Sequence, residues 1–130
     1  MILLDTHVWW WAISEPENLS VSARQLISDT SLGQHCVASI SLWEFAMMSQ
    51  RGRIQLTITP QQWLSFALET ANTRVLPISP SIALDSCTLP GEFHKDPADR
   101  LIVATARMSH ITLVTKDRKI RDYIHVDTIW

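Results

Sequence analysis

The chain has 130 residues, 46% of them apolar and 18% charged, which suits a single domain spanning residues 1–130 and excludes a disordered chain. A net charge of −2 does not mark a nucleic-acid binder, and the two cysteines, Cys36 and Cys87, lack any metal-ligand spacing, which excludes a disulfide framework and reads as two buried thiols in a reducing compartment. Asp5 and His7 interrupt the apolar N-terminus and no basic segment precedes it, so neither a signal peptide nor a membrane span is expected, and the expected location is the cytoplasm.

In chain order, Met1 to Leu4 is all apolar, as a central parallel strand buried on both faces requires. A tryptophan-rich segment, Val8 to Ile13, follows Asp5-Thr6-His7, and Glu15 to Asn18 forms a turn. Ser20 caps a predicted helix from Val21 to Ser28. Cys36 to Ala38 is the next strand, and Ser41-Leu42-Trp43-Glu44 opens a helix that runs to about Gln50 and stops at Gly52. Further helices are predicted from Gln61 to Thr70 and over Pro80 to Ser86, with a short strand at Val75-Leu76 between them and a loop from Leu89 to His94. Pro97 starts the clearest helix, to Ser109, Ile111 to Thr115 is the clearest strand, and a last strand lies around His125 to Ile129. Strands alternating with helices predict an α/β fold with a parallel central sheet flanked by helices. Six tryptophans in so short a chain must fill the core or cover a partner, so part of the surface is expected to be hidden in an oligomer or complex.

Ligands of open α/β sheets bind outside the carboxyl ends of the strands. Asp5 and Asp117 follow strands there, while Glu44 and Asp99 stand near the starts of helices. Carboxylates that converge near neutral pH need a cation to balance them, and an all-oxygen set suits Mg²⁺ or Mn²⁺, ions that support in-line displacement at phosphate. Each acid also has a plainer reading. Asp5 can cap the next helical turn, Asp117 can be a turn residue, and Ser41-x-x-Glu44 is a capping box, which taken alone is the better reading of Glu44. Asp96-Pro97 reads as N-cap and first helical residue, leaving Asp99 in the first turn either as a second half of the cap or turned toward the sheet edge. The metal is assigned to Asp99 and the cap to Asp96, a split that the spacing allows to be reversed. Seven of the eleven basic residues (Lys95, Arg100, Arg107, Lys116, Arg118, Lys119 and Arg121) fall in the last third, and by charge alone they read as a solvated face. No GxSxG, P-loop or GxGxxG is present.

Taken together, Leu3-Leu4-Asp5-Thr6-His7, Ser41-Leu42-Trp43-Glu44, the run from His94-Lys95-Asp96-Pro97-Ala98-Asp99-Arg100 to Ala106, and Leu113-Val114-Thr115-Lys116-Asp117 resemble the PIN-domain toxins of VapC type over essentially the whole chain. The resemblance implies a PIN-like three-layer sandwich and a Mg²⁺- or Mn²⁺-dependent endoribonuclease that hydrolyses RNA phosphodiesters with metal-activated water. It also implies a homodimer and a cognate antitoxin protein that blocks activity. It carries the family's acids onto Asp5, Glu44, Asp99 and Asp117, and so favours a metal role for Glu44 over the capping role that its spacing alone suggests. Asp5 and Asp99 are expected to bind the ion most directly, Glu44 and Asp117 to orient around it. Thr6 and Thr115 are expected to hydrogen-bond the pocket or substrate, with His7, Arg100 or Lys116 contacting phosphate. Two rival readings remain: a phosphoacceptor receiver domain, for which Asp5-Thr6 supplies only one acid of the required pair, and a catalytically silent PIN-like scaffold that binds a partner through Val8 to Ile13.

Overall fold

The apolar Ile2–Leu4 segment is β1, the middle strand of a five-stranded parallel sheet in the computed structural model, which describes residues 1–130. On one side of it lie β2 (His35–Ala38) and then β3 (Arg74–Leu76), and on the other β4 (Thr112–Val114) and then β5 (Thr128–Ile129). Leu3 stands opposite Cys36 on β2 and Leu113 on β4. Every residue of β1 is buried because helices cover both faces of the sheet.

Alternation along the strands sorts the side chains into two cores. Ile2, Leu4, Val37 and Val114 pack beneath Val8, Trp9 and Trp10 of α1 (Thr6–Ser14), Ala23 of α2 (Val21–Ser28), Phe45 of α3 (Ile40–Gln50) and Trp63 of α4 (Pro60–Ser65). Leu3, Cys36, Ala38 and Leu113 meet Leu89, which follows α5 (Pro80–Cys87), Ile102, Val103 and Ala106 of α6 (Pro97–Ser109), Ile120 of α7 (Arg118–Arg121), and Tyr123. The result is the three-layer sandwich expected from the sequence. No helix is long and apolar enough to cross a membrane.

The tryptophans of α1 resolve one rival reading. Trp9 and Trp10 are buried, with Trp63 edge-on to Trp9 at 4.9 Å and stacked on Phe45 at 4.3 Å. The indole N–H of Trp9 donates to Thr73 Oγ1 (3.2 Å) and that of Trp63 to Ser14 Oγ (2.8 Å), so both rings bury without orphaning their donors. The Val8 to Ile13 segment is therefore chiefly core and not the partner surface that the scaffold reading required.

Other local features also differ from expectation. The helix predicted through Thr70 is α-helical only to Ser65 and continues as a π-turn over Phe66–Thr70, closed by Ala71 N–H donating to Phe66 O at 2.9 Å. The wider turn keeps Ala67 buried in the same core as Trp63. Cys87, expected to be buried, is exposed at the end of α5, and the strand expected over His125 to Ile129 is confined to Thr128–Ile129. Ser20 caps α2 as predicted, accepting from the Ala23 N–H at 3.0 Å.

Sheet order reverses at β1: the chain moves to β2 and β3 on one side, then crosses to β4 and β5 on the other. Such a switch point opens a crevice at the carboxyl ends of β1 and β4. Asp5 extends that edge, its N–H donating to Val114 O at 3.0 Å.

Candidate functional site

Asp5 leaves β1 and caps α1, its Oδ1 accepting from the Thr6 N–H at 2.7 Å. Its Oδ2 accepts from the Thr115 hydroxyl at 2.6 Å, across from the end of β4. The plainer capping role is thus real, but it uses only one oxygen, and a carboxylate has acceptor capacity beyond two bonds. Thr115 also joins Asp5 to Asp117, since its Oγ1 accepts from the Asp117 N–H at 3.0 Å. Asp117 in turn caps α7 through the Lys119 N–H, 2.7 Å from Oδ1.

Glu44 does not close the predicted capping box. The helix starts one residue before Ser41, after Ser39, which makes no side-chain cap. Thr6 of α1 captures both partners instead: its hydroxyl donates to Glu44 Oε1 (2.6 Å) and lies within hydrogen-bond distance of the buried Ser41 Oγ (2.8 Å). A tertiary contact has outcompeted the local one. At the start of α6 the expected division of labour holds for the cap, with Asp96 Oδ1 accepting from Ala98 N–H (2.9 Å) and Asp99 N–H (3.2 Å). Asp99 occupies the third helical position, and its Oδ2 lies 3.2 Å from His94 Nε2.

Electrostatics place these acids in one neighbourhood. Burial, reinforced by the charges of Asp5, Asp96, Glu44 and Asp117, pushes the Asp99 carboxyl up to about 7. Asp5 is raised chiefly by burial, with Asp117 adding to the effect and the bonds from Thr115 and Thr6 opposing it. Glu44 is likewise raised, first by burial and then by Asp5 and Asp96, against the pull of the Thr6 hydroxyl. No lysine or arginine forms an ion pair with any of the four. As the side chains stand, no three of the chain's His, Cys, Asp and Glu groups close tightly enough to enclose a common ion. The donor set nevertheless fits a hard divalent cation: carboxylate and hydroxyl oxygens, with no lysine or arginine to balance them.

The expected substrate contacts divide. His7 and Lys116 are both exposed and flank the half-buried Trp11, the imidazole 5.8 Å from that ring and the ammonium 5.6 Å above it. Arg100, expected at phosphate, is instead engaged by carbonyls: Nε donates to Ser86 O (2.7 Å), and Nη1 to Phe93 O and His94 O (3.1 Å each). Arginine at that position fastens a loop, because three nearby carbonyls fit its fork of donors. Two residues carry more than the sequence signalled. Ser41, which the spacing to Glu44 marks only as a cap, joins the Thr6 hydroxyl instead, and Trp43, 58% exposed, lines a groove of about 440 Å³ with Ile40, Glu44, Met47 and Pro97.

Comparison with known proteins agrees with this architecture. The PIN domain family matches residues 2–125. The chain is 42% identical over 131 aligned positions to Ribonuclease VapC22 of Mycobacterium tuberculosis, covering 99% of this chain and 98% of the relative. Among solved structures, VapBC2 from Rickettsia felis bound to a promoter DNA fragment superposes with a TM-score of 0.73 at 19% identity, over 99% of this chain and 98% of that one. A toxin–antitoxin complex from Klebsiella pneumoniae superposes at 0.69 and 20% identity, over 100% and 97%. These structures share the fold, and the family match and the curated relative decide the lineage: the chain belongs to the PIN-domain family, of the VapC type.

Proposed function

We propose that this protein is an endoribonuclease toxin that hydrolyses RNA phosphodiesters at the pocket of Asp5, Glu44, Asp99 and Asp117, with Mg²⁺ or Mn²⁺ as its cation. One observation carries the reading: four acids drawn from the end of β1, α3, α6 and the β4–α7 turn stand within electrostatic reach of one another at the switch point of the sheet, with no lysine or arginine paired to them. Asp5 and Asp99 would hold the cation most directly, with Glu44 and Asp117 beside them. A divalent ion bound there supplies activation of water and stabilisation of the charge that builds on phosphate. The protein's own part is orientation. Thr115 holds one oxygen of Asp5 and the backbone of Asp117, while Thr6 holds Glu44, so three of the acids are preset before substrate arrives. Lys116 and His7, at the exposed margin beside Asp117 and Asp5, are the groups we assign to the RNA phosphates.

The same reading brings a partner. The solved relatives named above are toxin–antitoxin assemblies, and we extend to this chain a small antitoxin that covers the pocket, together with a homodimer of single-domain protomers. Exposed Trp43, Leu84 and Ile124 supply apolar surface for such contacts. The test is cleavage of a labelled RNA pool by the purified protein with Mg²⁺ or Mn²⁺, with chelator, and by Asp5→Asn. Cleavage should need the ion and vanish in the variant. Equal cleavage by parent and Asp5→Asn, with contaminating nuclease excluded, would sink the proposal.

A further inference from the structure

Three of the four acids have an evident orienting donor: Asp5 accepts from Thr115 and Thr6, Glu44 from Thr6, and Asp117 from Lys119. The Asp99 carboxylate accepts no formed hydrogen bond, and His94 Nε2 lies 3.2 Å from its Oδ2. That nitrogen is buried and has no hydrogen-bond partner of its own, which leaves a donor and an acceptor side by side with complementary needs.

The surroundings define which hydrogen the ring carries and hold the ring in place. The Asp96 N–H donates to His94 Nδ1 at 3.3 Å, which makes Nδ1 an acceptor and leaves Nε2, 3.2 Å from Asp99 Oδ2, as the ring's donor nitrogen. The ring stacks on Phe93 at 4.3 Å with 29° between planes, and Phe93 packs against Tyr123 at 4.8 Å. Arg100 ties the carbonyls of both Phe93 and His94 to α6, the helix that carries Asp99.

We propose that His94 is a positioning residue: its Nε2–H, fixed by Phe93, Asp96 and Arg100, orients the Asp99 carboxylate for the divalent cation. The inference rests on the metal-dependent reading above and adds to it a histidine beyond the four acids. A donor to the outer side of a metal-binding carboxylate raises affinity by limiting the orientations that carboxylate samples.

Mn²⁺ binding by calorimetry, on the parent, His94→Phe, His94→Gln and Asp99→Asn, tests it. Long-range ¹H–¹⁵N spectra and the melting temperature are recorded without metal. The parent ring should carry its proton on Nε2. His94→Phe, which keeps an aromatic ring on Phe93, should lose about 10–100-fold in Mn²⁺ affinity at a nearly unchanged melting temperature. His94→Gln, which restores a side-chain N–H, should recover part of that loss. The inference is overturned if His94→Phe binds Mn²⁺ as tightly as the parent, if the proton resides on Nδ1, or if affinity falls only in step with melting temperature and glutamine recovers nothing. A His94→Phe variant that binds normally while Asp99→Asn does not leaves the functional reading standing. A parent that binds no Mn²⁺ removes both.

Discussion

At the scale of single residues, Asp99 sets the cost of burying a charge against the metal role proposed for it. Its carboxyl is raised from 3.8 to about 7 because burial and four neighbouring acids disfavour its charge. A group whose folded value is raised stabilises the fold below its unfolded value and loses that contribution as pH climbs through the folded one. The metal-free protein should therefore be most favoured by this group below pH 3.8 and should lose that stability progressively up to about pH 7. Asp5 and Glu44, raised in the same direction, deepen the trend. Melting curves across that window in chelator check the sign, which is opposite to that of an acid held in a salt bridge. Asp99→Asn removes the buried charge and should raise the metal-free melting temperature near pH 7, by about 4 °C for a gain of about 1 kcal/mol. The same substitution should cut RNA cleavage by about 10²–10³-fold or more. A variant that is less stable yet fully active would contradict both halves.

Among the elements, α1 and the α5–α6 connection position the pocket. The Trp9, Phe45 and Trp63 rings join α1, α3 and α4, and α1 and α3 respectively carry Thr6 and Glu44. Trp63→Ala should cost about 3–5 kcal/mol, read as a lowered urea midpoint, because truncating a buried indole leaves a cavity in the core. Arg100 works on the opposite face of the sheet. Arg100→Gln shortens the fork that holds Ser86, Phe93 and His94 carbonyls and should destabilise by about 1–3 kcal/mol. If Arg100 were a phosphate contact instead, the variant would keep its urea midpoint and change only the salt dependence of RNA binding.

For the molecule as a whole, the proposed cation would be linked to the fold. A ligand that binds only the folded state at 100 times its dissociation constant adds about 2.7 kcal/mol, or about 10 °C for a chain of this length. Mg²⁺ or Mn²⁺ should therefore raise the parent's melting temperature, chelator should reverse the rise, and Asp99→Asn should show little of it. A parent whose melting temperature ignores both ions would count against the metal-dependent reading.

Local patterning was enough to determine the α/β alternation, the burial of Ile2–Leu4, the Ser20 and Asp96 caps and the placement of Asp5 and Asp117 after strands, because burial periodicity and capping act over a few residues. Ser41-x-x-Glu44 marks where that ends. Its spacing is that of a capping box, yet a hydroxyl on α1, 38 residues from Glu44 in the chain, takes the glutamate. The π-turn after Ser65, the burial of Trp9 and Trp10, and the diversion of Arg100 to carbonyls were likewise decided by partners distant in sequence or by packing against the sheet. So was the loop histidine facing Asp99, whose orientation depends on an aromatic stack, a backbone N–H and a guanidinium meeting in three dimensions. Short-range hydrogen bonding is written in neighbouring letters, whereas competition between two possible partners for one side chain is resolved only when the chain has packed.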